Sequence, residues 1–409
     1  MWGGPLSREV PYIGISSEGA KSLASNIISA VEAFLKGEAK GGLLLMAAAA
    51  LALVVANSPL ADIYAGVLDL HLTIGVAPAA LSKTVLHWIN DGLMAVFFLL
   101  VGLEIKREVV GGELSTRAKA ALPLLAAAGG MIGPAIFYVA LNSGDDTTLR
   151  GWAIPTATDI AFALGIMALL GSRVPTSLKV FLTALAVIDD LGAILIIALF
   201  YTADISTTAL MVAAACIAVL IALNRFGVRH VAFYLIIGLI LWVSVLKSGV
   251  HATMAGVITA LAIPVRPDAH GKSPLITLEH ALHPSVTYLI LPLFAFANAG
   301  VAVADMTRDA LLHPVTLGIV LGLFLGKQVG VLGISYLARA MGWVTLPGTA
   351  LQYYGVAVLT GVGFTMSLFI GGLAFTDVAH TAEVKIGVLA GSVLSGMVAY
   401  VLLRLAKSG

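Results

Sequence analysis

The chain has 409 residues, 59% hydrophobic and 11% charged, with a formal net charge of +1 and a mean hydropathy of +1.02. Soluble domains carry about 25% charged residues, so an ordinary soluble fold is excluded, and the near-neutral charge argues against a nucleic-acid partner. The single cysteine, Cys216, excludes an intrachain disulfide.

Residues 1–39 are mixed and polar, with no basic stretch leading into an apolar core, so they do not read as a secretory signal. They are expected to be a cytoplasmic extension before an integral domain over 40–409. Twelve apolar segments come next, at about 41–57, 85–105, 120–141, 151–171, 177–201, 208–224, 231–246, 249–265, 284–303, 315–338, 354–376 and 384–405. Each is long enough to cross a bilayer as a helix or nearly so, and the expectation is an all-α polytopic membrane protein with twelve transmembrane helices. The 43 glycines suit helices that approach closely in lipid. In the first long gap, 58–84, the string Val67-LDLHLTIGV partly alternates. It reads as a hairpin or as a plain surface loop.

Lysine and arginine placement sets orientation. With the N-terminus in the cytoplasm, seventeen fall in inner tails and loops and five in outer ones, while Lys327 alone lies mid-segment. Both termini are therefore expected inside.

Two segments have irregular polar centres. Segment four reads Gly151-WAIPTATDIAFALG, with Pro155, Thr156, Thr158 and Asp159; segment eleven reads Leu359-TGVGFTMSLFIGG, with Gly361, Gly363, Thr365 and Ser367. Proline and glycine free backbone groups that lipid cannot satisfy, so such breaks belong where they line a cavity or pack on protein. Each broken segment is the middle of a run of three, three-four-five and ten-eleven-twelve. The two runs have opposite expected topology, the pattern of inverted repeats around a midplane site.

Segment five carries Asp189-Asp190 in an unbroken apolar stretch, roughly 18 Å from its start at about 1.5 Å per residue. One carboxylate at that depth costs on the order of 2.5–3.5 kcal/mol by insertion scales, and two neighbours repel. One lysine cannot neutralise both, so a purely structural ion pair accounts for only one of them. Adjacent helical residues point about 100° apart, so one aspartate can meet Lys327 while the other faces a cavity. Two crossed broken helices would aim two positive and two negative half-helix ends at each other. Asp159 suits the positive ends, with direct ion binding as the alternative. Lys327 suits the negative ends, or pairs with Asp189, or does both in different states. Carboxylates, threonine hydroxyls and freed carbonyls are hard oxygen ligands that suit Na⁺ or Li⁺. Burial disfavours a charged carboxylate, so the site would hold either a cation or protons. His251 is read as a packed polar residue.

The strings Trp88-INDGLMAVFFLLVGLEIKRE, Gly151-WAIPTATDIAFALG, Leu185-AVIDDLGAILIIALFYT, Leu246-KSGVHATMAGV, Leu291-PLFAFANAGV and Gly361-VGFTMS closely resemble the NhaA-type bacterial Na⁺/H⁺ antiporters, over about residues 37–405. The resemblance implies two crossed discontinuous helices, four and eleven, and pH-regulated electrogenic exchange of two protons for one Na⁺ or Li⁺, with no cofactor, in a bacterial inner membrane. It also implies that the stretch in 58–84 is an extracellular hairpin that joins two protomers into a homodimer, a surface loop being the plain alternative. It implies Asp190 as principal cation ligand, Asp189 as its partner linked to Lys327, and Thr158 and Asp159 at the helix crossing. It also implies a pH-sensing group of Glu104, Arg107 and Glu108 after segment two and Glu279, His280 and His283 before segment nine; ordinary solvated helix ends are the plain alternative for each. Ile276 and Thr277 stand where family members carry basic residues, and Gln328 where a proline commonly comes after the buried lysine. Two other functions compete: Na⁺-coupled symport of an organic solute, and an intramembrane aspartyl protease. The latter commonly uses aspartates on different helices and a Gly-x-Gly-Asp string, absent here.

Overall fold

The computed structural model describes residues 40–75, 80–201, 206–248, 251–267 and 271–406; the N-terminal extension 1–39 lies outside them. The described residues are almost wholly helical. Helix α1 (Lys40–Ala56) turns by 112° into α2 (Ala61–Asp69). Then comes a hairpin, β1 (His71–Ile74) and β2 (Leu81–Thr84), paired antiparallel from His71 opposite Thr84 to Ile74 opposite Leu81. The strand part of the stretch is thus paired as a hairpin, while residues 67–69 belong to α2. A π turn, Trp88–Leu93, leads into α3 (Met94–Gly111).

The next helices are α4 (Arg117–Asn142), α5 (Asp146–Thr156), α6 (Ile160–Leu169), α7 (Thr176–Phe200), α8 (Thr207–Arg225), α9 (Val231–Ser248), α10 (Met254–Ala262), α11 (Pro274–Ala299), α12 (Pro314–Ala340), α13 (Ala350–Leu359), α14 (Phe364–Ala374) and α15 (Val378–Leu405). Side-chain caps explain several starts. Thr116, Ser273 and Asp377 accept the third helical N–H of α4, α11 and α15, and Thr349 with Gln352 forms a reciprocal capping box on α13.

Among the described residues, eight helices are long and apolar enough to cross a membrane, or ten if each bent pair is one span. The twelve-span expectation exceeds that count for two local reasons. Helix α3 carries Glu104, Lys106, Arg107 and Glu108 within its length, and α10 is only nine residues long. Helix α11 also starts ten residues before the apolar segment does, because Ser273 and Pro274 make a good N-terminus in polar sequence.

One large core joins α1, α3, α4, α6, α7 and α11–α15, and a smaller one packs α8–α10 against Leu99 and Leu103 of α3. On the outside, exposed apolar side chains such as Val54, Leu199, Leu239, Leu337 and Met397 form a belt suited to lipid.

Two triplets share one plan: long helix, broken helix, long helix. They are α4, α5–α6, α7 and α12, α13–α14, α15. Their first members touch backbone to backbone. A Cβ on Gly129 would run into the Gly330 carbonyl, one on Gly330 into the Gly129 carbonyl, and one on Gly133 into the Gly326 carbonyl. Only glycine permits this seam, which brings α12 against α4 at the level of Lys327. A π turn, Gly322–Gly326, immediately precedes that lysine.

Candidate functional site

The two breaks meet. Helix α5 stops at Thr156 and α6 starts at Ile160, with the pair bent by 45°. Helix α13 stops at Leu359 and α14 starts at Phe364. Backbone groups freed at one break are satisfied by the other. The Asp159 N–H donates to the Val362 carbonyl at 2.7 Å, Thr158 Oγ1 to the Thr360 carbonyl at 2.9 Å, and Ser367 Oγ to the Ile154 carbonyl at 2.7 Å. Irregular backbone is tolerated at this depth because protein partners replace the water that a bilayer lacks.

Asp159 serves both positive half-helix ends. Its Oδ1 accepts the Phe162 N–H of α6 at 2.9 Å. Its Oδ2 accepts the Thr365 N–H of α14 at 2.9 Å and Thr365 Oγ1 at 2.6 Å. Lys327 serves the opposite polarity. Its Nζ donates to the Thr156 carbonyl at the end of α5 at 2.7 Å, to Thr158 Oγ1 at 3.0 Å and to Asp189 Oδ2 at 2.6 Å. All three ammonium protons have acceptors. Of the alternatives for Lys327, pairing with Asp189 and meeting a negative helix end occur together.

Asp189 and Asp190 sit on α7 and diverge as neighbours on a helix must. Asp189 Oδ2 takes Lys327 and Thr158, and its side chain has no exposed surface. Asp190 points elsewhere, into a chamber of about 60 Å³ also lined by Glu104, Asp159, Thr183, His283 and Thr365. Its Oδ1 is buried and receives no hydrogen bond from the described residues. Asp159 has its helix ends and Asp189 has Lys327; the Asp190 carboxylate has no such direct partner among the described residues. The chamber has room for water or a partly hydrated cation. The described residues contain no cluster of three metal-ligating side chains. A cation at Asp190 would therefore draw the rest of its shell from water, hydroxyls and carbonyls, which hard cations accept.

Thr183, Val187 and His283 also line a second cavity of about 630 Å³, together with Arg107, Glu108, Glu113, Lys179, Glu279 and His280. The shared walls make it a vestibule to the chamber. It opens on the face where Arg173 reaches the Arg404 carbonyl and Lys179 the Gly171 carbonyl. Within it, Arg107 Nε contacts both oxygens of Glu279, at 2.9 and 3.1 Å, and Arg107 Nη1 lies 2.7 Å from Glu108. The pH-sensing group read from the sequence is thus gathered around one cavity, except Glu104, which belongs to the chamber. His251 bonds the Tyr201 carbonyl through Nε2, apart from both cavities, as a packed polar residue.

Sequence reasoning missed the roles of five residues: Thr365 as partner of Asp159, the carbonyls of Thr156 and Thr360, and Lys179 with Thr183 in the vestibule wall. Thr365 had a visible signal in its glycine-interrupted stretch. The carbonyls had none beyond the break itself.

The sequence model of the family described as Na⁺/H⁺ antiporter 1 matches residues 32–403. The chain is similar to proteins named Na(+)/H(+) antiporter NhaA. It is 60% identical to that of Rhodospirillum rubrum over 391 residues, covering 93% of this chain and 98% of that protein. It is 56% identical to that of Caulobacter vibrioides over 387 residues, covering 93% and 92%. It is 55% identical to that of Pseudomonas putida over 378 residues, covering 91% and 97%.

Proposed function

The chain belongs to the Na⁺/H⁺ antiporter 1 family, transporters rather than enzymes, and we propose accordingly that it moves one cytoplasmic Na⁺ or Li⁺ outward for two protons inward. Exchange is electrogenic, pH-regulated and serves sodium and pH homeostasis. Residues 40–409 form a twelve-span integral domain of the bacterial inner membrane, with both termini and the 1–39 extension in the cytoplasm. The runs three-four-five and ten-eleven-twelve are inverted repeats whose broken helices cross at the midplane. Two copies associate through the 58–84 hairpin.

The observation that carries this reading is the Asp190 carboxylate, which has no ion-pair partner among the described residues, beside Asp189, whose Oδ2 is held by Lys327 and Thr158 and whose Oδ1 is likewise buried without a hydrogen bond. A cation entering from the vestibule meets one free negative charge. Leaving one proton on Asp190 and one on the coupled Asp189–Lys327 pair in the other state gives two protons per cation. The same site opened alternately to each side exchanges them without a separate proton path. Arg107, Glu108, Glu279, His280 and His283, standing around the entrance with Glu104 at its inner end, are the pH-sensing group.

The vestibule of about 630 Å³ is roomy enough for an organic solute, so it is the relatives named as Na⁺/H⁺ antiporters that disfavour solute symport. A protease dyad is disfavoured by Asp189, whose oxygen is occupied by Lys327.

Purified protein in proteoliposomes tests the reading. Na⁺ or Li⁺ should drive proton movement that responds to an imposed membrane potential, and Asp190→Asn should abolish it. Normal exchange by Asp190→Asn overturns the site. Exchange indifferent to potential overturns the stoichiometry.

A further inference from the structure

The Thr158 hydroxyl has more partners than it can serve at once. It accepts from Lys327 Nζ at 3.0 Å and faces two acceptors, Asp189 Oδ2 at 2.7 Å and the Thr360 carbonyl at 2.9 Å. A hydroxyl has one proton to donate. Thr158 is wholly buried, so bulk water does not compete for it. The hydroxyl proton therefore has two discrete positions, one on the aspartate and one on the end of α13.

Building on the exchange reading, we propose that the Thr158 hydroxyl is a two-position switch that reports the proton load of the Asp189–Lys327 pair to the broken helix α13–α14. Thr158 is a positioning residue in this scheme. With a carboxylate and an ammonium in place, Asp189 Oδ2 is the stronger acceptor and the hydroxyl points to it. When Asp189 takes up a proton, its oxygen loses its charge. The better acceptor is then the Thr360 carbonyl, where the negative end of α13 gathers. The hydroxyl proton stays on Oγ1 throughout, and only the torsion about Cβ–Oγ changes. The proton bound by Asp189 is the transported one.

The second position matters because Thr360 leads directly into the stretch that grips Asp159. Two residues on, the Val362 carbonyl holds the Asp159 N–H; five on, Thr365 holds the Asp159 carboxylate. Asp159 and Thr365 both line the chamber of Asp190. A hydroxyl turned to Thr360 adds a bond to the segment that shapes the cation site, and one turned to Asp189 removes it. The ionisable groups around the switch are Asp189 on α7 and Lys327 on α12 in contact, with Asp159, Asp190, Glu104 and His283 around the chamber.

The test compares wild type, Thr158→Val and Thr158→Ser in proteoliposomes, measuring Na⁺-driven exchange across pH, with detergent melting temperature across the same pH range. Valine keeps the shape and lacks the hydroxyl. Without that donor the protonated pair is favoured, so half-maximal exchange moves to higher pH by about one unit, a tenfold change in proton affinity. Thr158→Ser restores the wild-type profile. A residue that only fills space would lower melting uniformly and leave the profile in place. A wild-type profile in Thr158→Val, or a serine variant shifted as far as the valine one, overturns the switch. If wild type shows no Na⁺-driven exchange, the exchange reading fails, while the pH dependence of melting still reads the switch.

Discussion

Lys327 Nζ and Asp189 Oδ2 lie 2.6 Å apart, and neither side chain has any exposed surface. Removing one partner of such a pair strands a buried charge, at about 3–5 kcal/mol. Lys327→Ala should therefore lower the melting temperature in detergent by several degrees. Adding Asp189→Asn should recover part of the loss, because groups in contact are not additive. A double variant that loses the sum of the two singles would show that the ion pair is not what stabilises this region.

Asp190 predicts the opposite. Its Oδ1 is buried without a hydrogen bond from the described residues, so Asp190→Asn removes a burden as well as a charge. The variant should melt at or above the wild-type temperature without Na⁺. Saturating Na⁺ or Li⁺ should raise the wild-type melting temperature, by mass action worth about 2.7 kcal/mol at a hundredfold excess over Kd, and leave Asp190→Asn unmoved. Equal cation stabilisation of both proteins would place the cation elsewhere.

Asp159 caps two helices with one carboxylate, through Phe162 and Thr365. A single cap contributes about 0.5–2 kcal/mol, so Asp159→Ala should cost roughly twice that. Asp159→Asn, which keeps an acceptor at each position only in part, should fall between. Identical melting of the alanine and wild-type proteins would refute the double cap.

The Arg107–Glu279 contact tests the vestibule. Arg107 is partly exposed and Glu279 nearly buried, so the stability effect of Glu279→Gln should be small, within about 1 kcal/mol. Its effect should be on regulation: maximal exchange kept, pH of half-activation moved. Loss of exchange at every pH would instead put Glu279 in the ion path.

At the other end of the protein, Asp377 caps α15. The backbone N–H of His380 donates to its Oδ1 at 2.9 Å, and this chiefly holds the carboxyl below the usual carboxylate range. A lowered folded value means the cap contributes fully above the unfolded carboxylate value, near 3.9, and fades as pH falls through the lower folded one. Amide exchange at residues 378–381 should be faster in Asp377→Ala than in wild type at neutral pH. That difference should close on acidification through the folded value. No difference at neutral pH would show the cap to be idle.

The sequence disclosed the site more readily than the fold's details. Asp189-Asp190 and Lys327 were conspicuous because charge in apolar helix is expensive, and the breaks showed through Pro155, Gly361 and Gly363. Which aspartate meets the lysine depends on the rotation of α7 against α12, which no local pattern encodes. The partnership of Asp159 with Thr365 joins residues 206 positions apart and needs both breaks in place. The π turn before Lys327 and a second one, Val286–Ile290 within α11, left no trace in periodicity, since one extra residue per turn is hidden in uniformly apolar sequence. The early start of α11 was missed because hydropathy marks where a helix is buried, whereas Ser273 and Pro274 mark where it begins.

The glycine seam between α4 and α12 sets a length. Lysine has a side chain of fixed reach, and Gly129, Gly130, Gly133, Gly326 and Gly330 hold its helix close enough for that reach to end on Asp189. A methyl group at residue 330 would widen the gap between the two helices, and the ammonium would fall short of its carboxylate while still enclosed in apolar surroundings. A change that adds no charge of its own would then act as a change in charge at the centre of the protein, and inherited tolerance at these positions would be governed by electrostatics and not by volume.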